Sequence, residues 1–153
     1  HTVNPMEDTY FEDIEPGYTF PIGEHTCHRE EMIEFAGKWD PQPFHLDAAL
    51  AAQHPVGDII ASSSYTLSVI TKLIGENLSI KTLGLLELER VRILAPVRPG
   101  DHLTVTAQWL EKRESRTKPD RGIVRSSVDV RNQHGESVLS YTSTIMVVKR
   151  GDS

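Results

Sequence analysis

The chain has 153 residues, 38% of them apolar and 25% charged, with Gly 10 and Pro 9. That length favours one domain around one core, and the composition excludes disordered, collagen-like and coiled-coil chains. Lys+Arg 16 against Asp+Glu 22 leaves a formal charge of −6, which excludes a general binder of nucleic acid or of anionic membranes.

Cys27 is the single cysteine, so neither an internal disulfide nor a multi-thiolate zinc site is available, and a reducing, cytoplasmic setting suits it. No apolar stretch reaches membrane-spanning length and no targeting signal is visible. There is no internal repeat and no low-complexity linker. Residues 1–9 are expected to be a partly disordered leader to a single domain over residues 10–150.

In chain order, a first strand is expected from about Tyr18 to His28. From Glu30 to Gly75 the pattern is helical. Glu30, Glu31 and Glu34 crowd an early turn as the helix dipole prefers, Met32, Ile33, Phe35 and Ala36 give an apolar side, and Gly37 and Pro41 end the helix. A second, short helix is expected from about Asp47 to Gln53. A third begins at the run Ser62, Ser63, Ser64, whose hydroxyls can satisfy free N–H groups, and ends at Gly75. Its series Ala61, Tyr65, Val69, Leu73 recurs every fourth residue, and Leu67, Ile70 and Ile74 widen the stripe, so it should be buried on most sides.

From Leu83 onward the period becomes strand-like: Leu103, Val105, Ala107 and Trp109, then Val124, Val128 and Val130, then Val138 to Val148. Turn signals at Arg98-Pro99-Gly100-Asp101, Lys118-Pro119-Asp120-Arg121-Gly122 and Asn132-Gln133-His134-Gly135 separate these runs, so neighbouring strands should pair antiparallel. An antiparallel sheet with one apolar face and one helix apolar nearly all round fit together if the sheet curls about the helix. The expected fold is therefore α+β, a hotdog with about five antiparallel strands wrapped around a long central helix. Such a sheet leaves edges open, and a homodimer or higher homo-oligomer would cover them.

The segment between the first two helices, Trp39-Asp40-Pro41-Gln42-Pro43-Phe44-His45-Leu46-Asp47, carries the clearest chemical signal. Two prolines in three positions predict a stiff extended loop rather than helix, with Asp40 where one helix stops and His45 where the next starts. A turn of that loop can bring carboxylate and imidazole together, and such a pair can handle one water, one group removing a proton while the other donates. The same spacing also fits a proline-rich turn with Asp40 and His45 as mere helix caps.

This segment resembles the hydratase motif of the MaoC-like dehydratase family, which includes the (R)-specific enoyl-CoA hydratases. That motif reads Asp-x-Asn-Pro-x-His before an alanine-rich helix, and here it stands as Asp40-Pro41-Gln42-Pro43-Phe44-His45 followed by Leu46-Asp47-Ala48-Ala49. Tyr10-Phe11-Glu12-Asp13-Ile14-Glu15-Pro16-Gly17 resembles the family's lead-in, and Val97-Arg98-Pro99-Gly100-Asp101 and Arg131-Asn132-Gln133-His134-Gly135-Glu136 its hairpin turns. The resemblance implies reversible addition of water to a trans-2-enoyl-CoA to give a 3-hydroxyacyl-CoA. Asp40 would be the base and His45 its partner in orienting water and moving the proton. No cofactor is implied beyond coenzyme A, or an acyl carrier, as part of the substrate.

Two departures stand out. Gln42 replaces the usual Asn, keeping the amide on a longer stem, and Ser63 takes the position of a glycine whose backbone N–H polarises the thioester carbonyl. Substrate contacts are accordingly expected at Gln42, Ser62, Ser63 and Ser64, a helix N-terminus being suited to a developing enolate oxygen. Capping of a buried helix accounts for the same serines. Two alternatives remain open, a hotdog acyl-CoA thioesterase and a non-catalytic acyl-thioester-binding subunit.

Other features read as structural. Lys112, Arg113, Arg116, Lys118, Arg121 and Arg125 can meet coenzyme A phosphates, but interleaved Glu111, Glu114 and Asp120 favour a solvated hairpin. His25, Cys27 and His28 lack the remaining ligands of a metal site, so none is expected. Trp39 and Trp109 read as core or pocket walls, and Arg90 and Arg92 as an exposed strand face.

Overall fold

The computed structural model describes residues 7–151. Of the expected leader, residues 1–6 lie outside the described residues, and Asp8–Thr9 forms a short strand, β1. A single 3-10 turn at Phe11–Asp13 leads to β2 (Thr19–Thr26), α1 (Arg29–Trp39), α2 (Pro43–Leu46), α3 (Ala48–Ala52) and α4 (Ser63–Asn77). β3 (Ser79–Ile80), β4 (Thr82–Ile93), β5 (His102–Glu114), β6 (Arg121–Arg131) and β7 (Ser137–Val148) follow.

β2, β5, β6, β7 and β4, in that spatial order, make one five-stranded antiparallel sheet, while β1 and β3 pair in parallel. This is the hotdog arrangement expected from the sequence. Along β5 the residues Leu103, Val105, Ala107 and Trp109 are buried in strict alternation, and β6 answers with Val124, Ser126, Val128 and Val130. α4 lays Tyr65, Val69, Ile70 and Leu73 against this face. Its opposite side, Ser64, Ser68, Lys72 and Gly75, is exposed, so the helix is not buried on most sides as the wide apolar stripe implied. Small and polar residues at every third or fourth position are what leave that side to water.

Two further expectations are corrected. The prolines were expected to keep the loop free of helix, yet Pro43 opens α2 at its first position, where a missing N–H costs nothing. Trp39, expected in a core or pocket wall, is 71% exposed at the end of α1, whereas Trp109 is buried.

The lead-in is fastened to the sheet. Arg150 donates to both carboxylate oxygens of Asp13 at 3.1 and 2.7 Å, and the Tyr10 N–H donates to Asp13 at 2.9 Å. Burial opposes ionisation of Asp13, but these donors outweigh it and hold its carboxyl below the usual range. The Phe11 ring sits against β6 at Gly122, where an added Cβ would collide with its Cε1, and Lys112 caps it with Nζ 4.8 Å from the centroid.

Gly122→Ala is therefore expected to force Phe11 off the sheet and to cost about 1–3 kcal/mol, as overpacking does. Denaturant unfolding should show a lower midpoint at constant slope. An unchanged midpoint would show that Phe11 is not fixed there.

Candidate active site

The loop from α1 to α2 is built by its own hydrogen bonds. Asp40 closes α1 with its N–H on the Ala36 carbonyl at 2.9 Å, and the Gln42 N–H returns to the Asp40 carbonyl at 2.8 Å. Pro43 then starts α2, which carries His45 into the interior at 5% exposure. Asp47, rather than His45, caps the following helix, accepting from the Ala49 and Leu50 N–H groups.

His45 is fixed by one nitrogen and turns the other to Asp40. Nδ1 lies 2.7 Å from the carbonyl oxygen of Ile60, and since a carbonyl only accepts, Nδ1 carries the proton. Nε2 then faces Asp40 Oδ2 at 3.3 Å. The other carboxylate oxygen, Oδ1, accepts from Gln42 Nε2 at 2.7 Å, so Gln42 holds the Asp40 carboxylate itself. The Phe44 ring packs against the imidazole with centroids 4.3 Å apart.

The Ile60 contact also ties this loop to the start of α4. Ala61 is anchored through its N–H to the Val97 carbonyl at 2.8 Å, and Ser62 is buried as the N-cap, its Oγ accepting from the Tyr65 N–H at 3.0 Å. Ser63 and Ser64 are exposed and occupy the first turn, where backbone N–H groups have no partner within the helix. Asp40, Gln42, His45 and the start of α4 thus share one end of the molecule. Ser62 stands apart from the others, because its hydroxyl is committed to capping.

A second polar cluster adjoins α4 one turn further on. Tyr65 donates its hydroxyl to Glu31 Oε1 at 2.5 Å, and His25 Nε2 meets the same oxygen at 2.7 Å. Burial, then the bond to Glu31, drives the Tyr65 hydroxyl far above its usual range. Burial opposes ionisation of Glu31 too, but the bonds from Tyr65 and His25 outweigh it and hold the carboxyl low. Burial pushes the Cys27 thiol up to about 11, so it is a poor nucleophile. The sequence assigned Tyr65 to the core stripe and Glu31 to the helix dipole. No local signal links residues 34 positions apart.

The basic hairpin is ion-paired. Arg125 bonds Glu111 at 2.8 Å and Glu89 at 2.5 Å, Arg121 bonds Asp120 at 2.8 Å, and Lys149 bonds Glu114. Lys112 is directed to the Phe11 carbonyl at 3.0 Å. Among the described residues, no group of three His, Cys, Asp or Glu could hold a metal ion, and no helix is long and apolar enough to cross a membrane.

Tyr65→Phe should remove the charge-assisted bond to Glu31 and cost about 1 kcal/mol at neutral pH. Because the folded-state carboxyl of Glu31 is held low, its stabilisation is full above the unfolded value of about 4.3 and is lost as pH falls through the folded value. The stability difference between wild type and variant, followed by denaturant unfolding, should therefore shrink below about pH 4. A difference that persists in acid would place the cost in packing instead.

The family described as MaoC like domain matches residues 13–132. A MaoC-like dehydratase from Rhodospirillum rubrum superposes with a TM-score of 0.86 and 32% identity, covering 94% of this chain and 99% of that one. An R-hydratase from Pseudomonas aeruginosa, in its unliganded form, superposes with a TM-score of 0.74 and 27% identity over 96% of this chain and 88% of that one. A 3-hydroxybutyryl-CoA dehydratase from Methylorubrum extorquens is 32% identical over 103 residues, 67% of this chain and 64% of its own length. With the hotdog sheet, the loop motif and the family match coinciding on the same residues, the chain belongs to the MaoC-like dehydratase family.

Proposed function

We propose that the protein is an enoyl-thioester hydratase, adding water reversibly to a trans-2-enoyl-CoA to give a 3-hydroxyacyl-CoA. The observation that carries this reading is the pairing of Asp40 Oδ2 with His45 Nε2 at 3.3 Å beside the N-terminus of α4. A water in contact with both from the open side loses a proton to the pair, and its oxygen bonds to C3 of the enoyl group. The π electrons move toward the thioester carbonyl, whose oxygen becomes an enolate, and C2 takes the proton back from the pair. The enolate oxygen is received by the backbone N–H groups at Ser63 and Ser64, with the positive end of α4 behind them. The reverse sequence dehydrates the 3-hydroxyacyl thioester. Every step uses groups of this chain, and coenzyme A enters only with the substrate.

Gln42 is a positioning residue in this reading, since it holds Oδ1 and leaves Oδ2 for the water. The relatives support the same chemistry by their names, a dehydratase of a hydroxyacyl-CoA and an R-hydratase.

Asp40→Asn should lower hydration of crotonyl-CoA by about 10²–10⁴-fold with unfolding unchanged, the range for loss of a general base. Unchanged turnover would sink the mechanism. Thiol release monitored beside loss of enoyl absorbance separates a hydratase from a thioesterase, and binding without turnover across chain lengths would favour a non-catalytic binder. Gln42→Leu should reduce kcat by about 10–100-fold with little change in KM, and Gln42→Asn should restore part of it. Equal kcat in all three would remove Gln42 from the account.

A second copy of the chain is the partner that the fold calls for. β4 is an edge strand of the sheet, and Leu83, Leu85, Leu86 and Ile93 on it are each half exposed. An apolar edge of that length invites pairing with an identical edge, which buries both. Sedimentation should report a homodimer or a multiple of it, and Leu86→Lys should shift it toward monomer. A monomeric wild-type protein would contradict this assignment.

A further inference from the structure

A cavity of about 430 Å³ lies between the sheet and the C-terminal part of α4, lined from the helix by Leu67, Thr71, Ile74, Gly75 and Leu78. Leu67 is about 6 Å along the helix axis from Ser63 at 1.5 Å per residue, so the cavity extends away from the Asp40 and His45 end. Its size suits a small ligand and most of its wall is apolar. No Lys, Arg, His, Asp or Glu lines it.

The sheet wall breaks that apolar character in a defined place. Trp109, Ser126 and Ser143 are consecutive cross-strand partners on β5, β6 and β7, and Tyr141 follows on the same face of β7. All four line the cavity and are at most 9% exposed. The Trp109 Nε1–H is buried without a hydrogen-bond partner among the described residues. Ser126 and Ser143 bond each other at 2.9 Å, which uses one of their two O–H groups as a donor and leaves the second without an acceptor among the described residues. The Tyr141 hydroxyl makes no bond to a described residue either. Each hydroxyl of the row can accept as well as donate, whereas the Trp109 indole can only donate, so its N–H is the group that this apolar chamber leaves in need of an acceptor. A buried donor without a partner is costly and rare, so a functional reason is expected for the Trp109 N–H.

We propose that this cavity receives an acyl chain that carries a neutral hydrogen-bond acceptor, a keto or ether oxygen, which meets the Trp109 Nε1–H beside Ser126, Ser143 and Tyr141. The assignment rests on the reading of the protein as an acyl-thioester enzyme and narrows its substrate class. A plain alkyl chain would leave the indole N–H of Trp109 unpaired, whereas an oxygen placed beside it satisfies it. A terminal carboxylate gains nothing comparable, since no cation lines the cavity to meet its charge.

The test is direct binding by calorimetry, using saturated thioesters that cannot be hydrated. Octanoyl-CoA is compared with octanoyl-CoA analogues bearing one keto oxygen at C5, C6 or C7. At least one keto analogue should bind about tenfold tighter than octanoyl-CoA, the scale of one buried donor regaining its partner. Trp109→Phe should bring the keto preference, the ratio of keto to octanoyl affinity within one variant, close to one, whereas Tyr141→Phe should retain it. Should these variants fail to fold, the side-chain N–H resonance of Trp109 in the wild-type protein supplies the reading. It should shift downfield with the favoured keto analogue and not with octanoyl-CoA. Equal affinity across the series, or binding of no member, would overturn the proposal. Crotonyl-CoA hydration measured in parallel separates the two readings: hydration without a keto preference overturns this inference alone, and a keto preference without hydration overturns the hydratase assignment alone.

Discussion

A single antiparallel sheet with one apolar face can keep water from that face only by bending around another element, and here the element is α4. The alternation of Leu103, Val105, Ala107 and Trp109 along β5, and its counterpart on β6, gives the sheet its inner surface. Tyr65, Val69, Ile70 and Leu73 give the helix the surface that meets it. One helix cannot fill the whole concavity of five long strands. What it leaves is a chamber under its C-terminal part, an open β4 edge and an N-terminus presented beside the motif loop.

The site inherits its order from that arrangement. Because Ile60 immediately precedes the start of α4, its carbonyl is held where the helix begins, and the His45 imidazole is oriented by it. That single bond requires a proton on Nδ1 and aims Nε2 at Asp40. Gln42 completes the arrangement from the opposite side of the carboxylate. The longer side chain in place of the usual asparagine thus does not loosen the loop, because its amide reaches the carboxylate from two residues away.

Much of this was legible in the sequence because the signals are local. Alternation gave the strands of the main sheet, the serine run gave the start of α4, and the likeness of the Asp40 to His45 segment to the hydratase motif singled out the pair that spacing alone left open. What escaped depends on distant residues or on competing local effects. Pro43 can both break a helix and begin one, and only the chain's path decides which. The exposed side of α4 was masked by Leu67 and Ile74, which are half-buried and border the cavity instead of the core proper. The Tyr65 to Glu31 bond and the polar row across Trp109, Ser126 and Ser143 join residues that no periodicity connects.

The central claim is that this end of the fold delivers water to C3 of an enoyl thioester rather than to its carbonyl. Turnover of crotonyl-CoA in water enriched in oxygen-18, with products analysed by mass spectrometry, tests it most directly. The account predicts heavy oxygen in the C3 hydroxyl of 3-hydroxybutyryl-CoA with the thioester intact. Heavy oxygen in a free carboxylate, or no incorporation at C3, would contradict it.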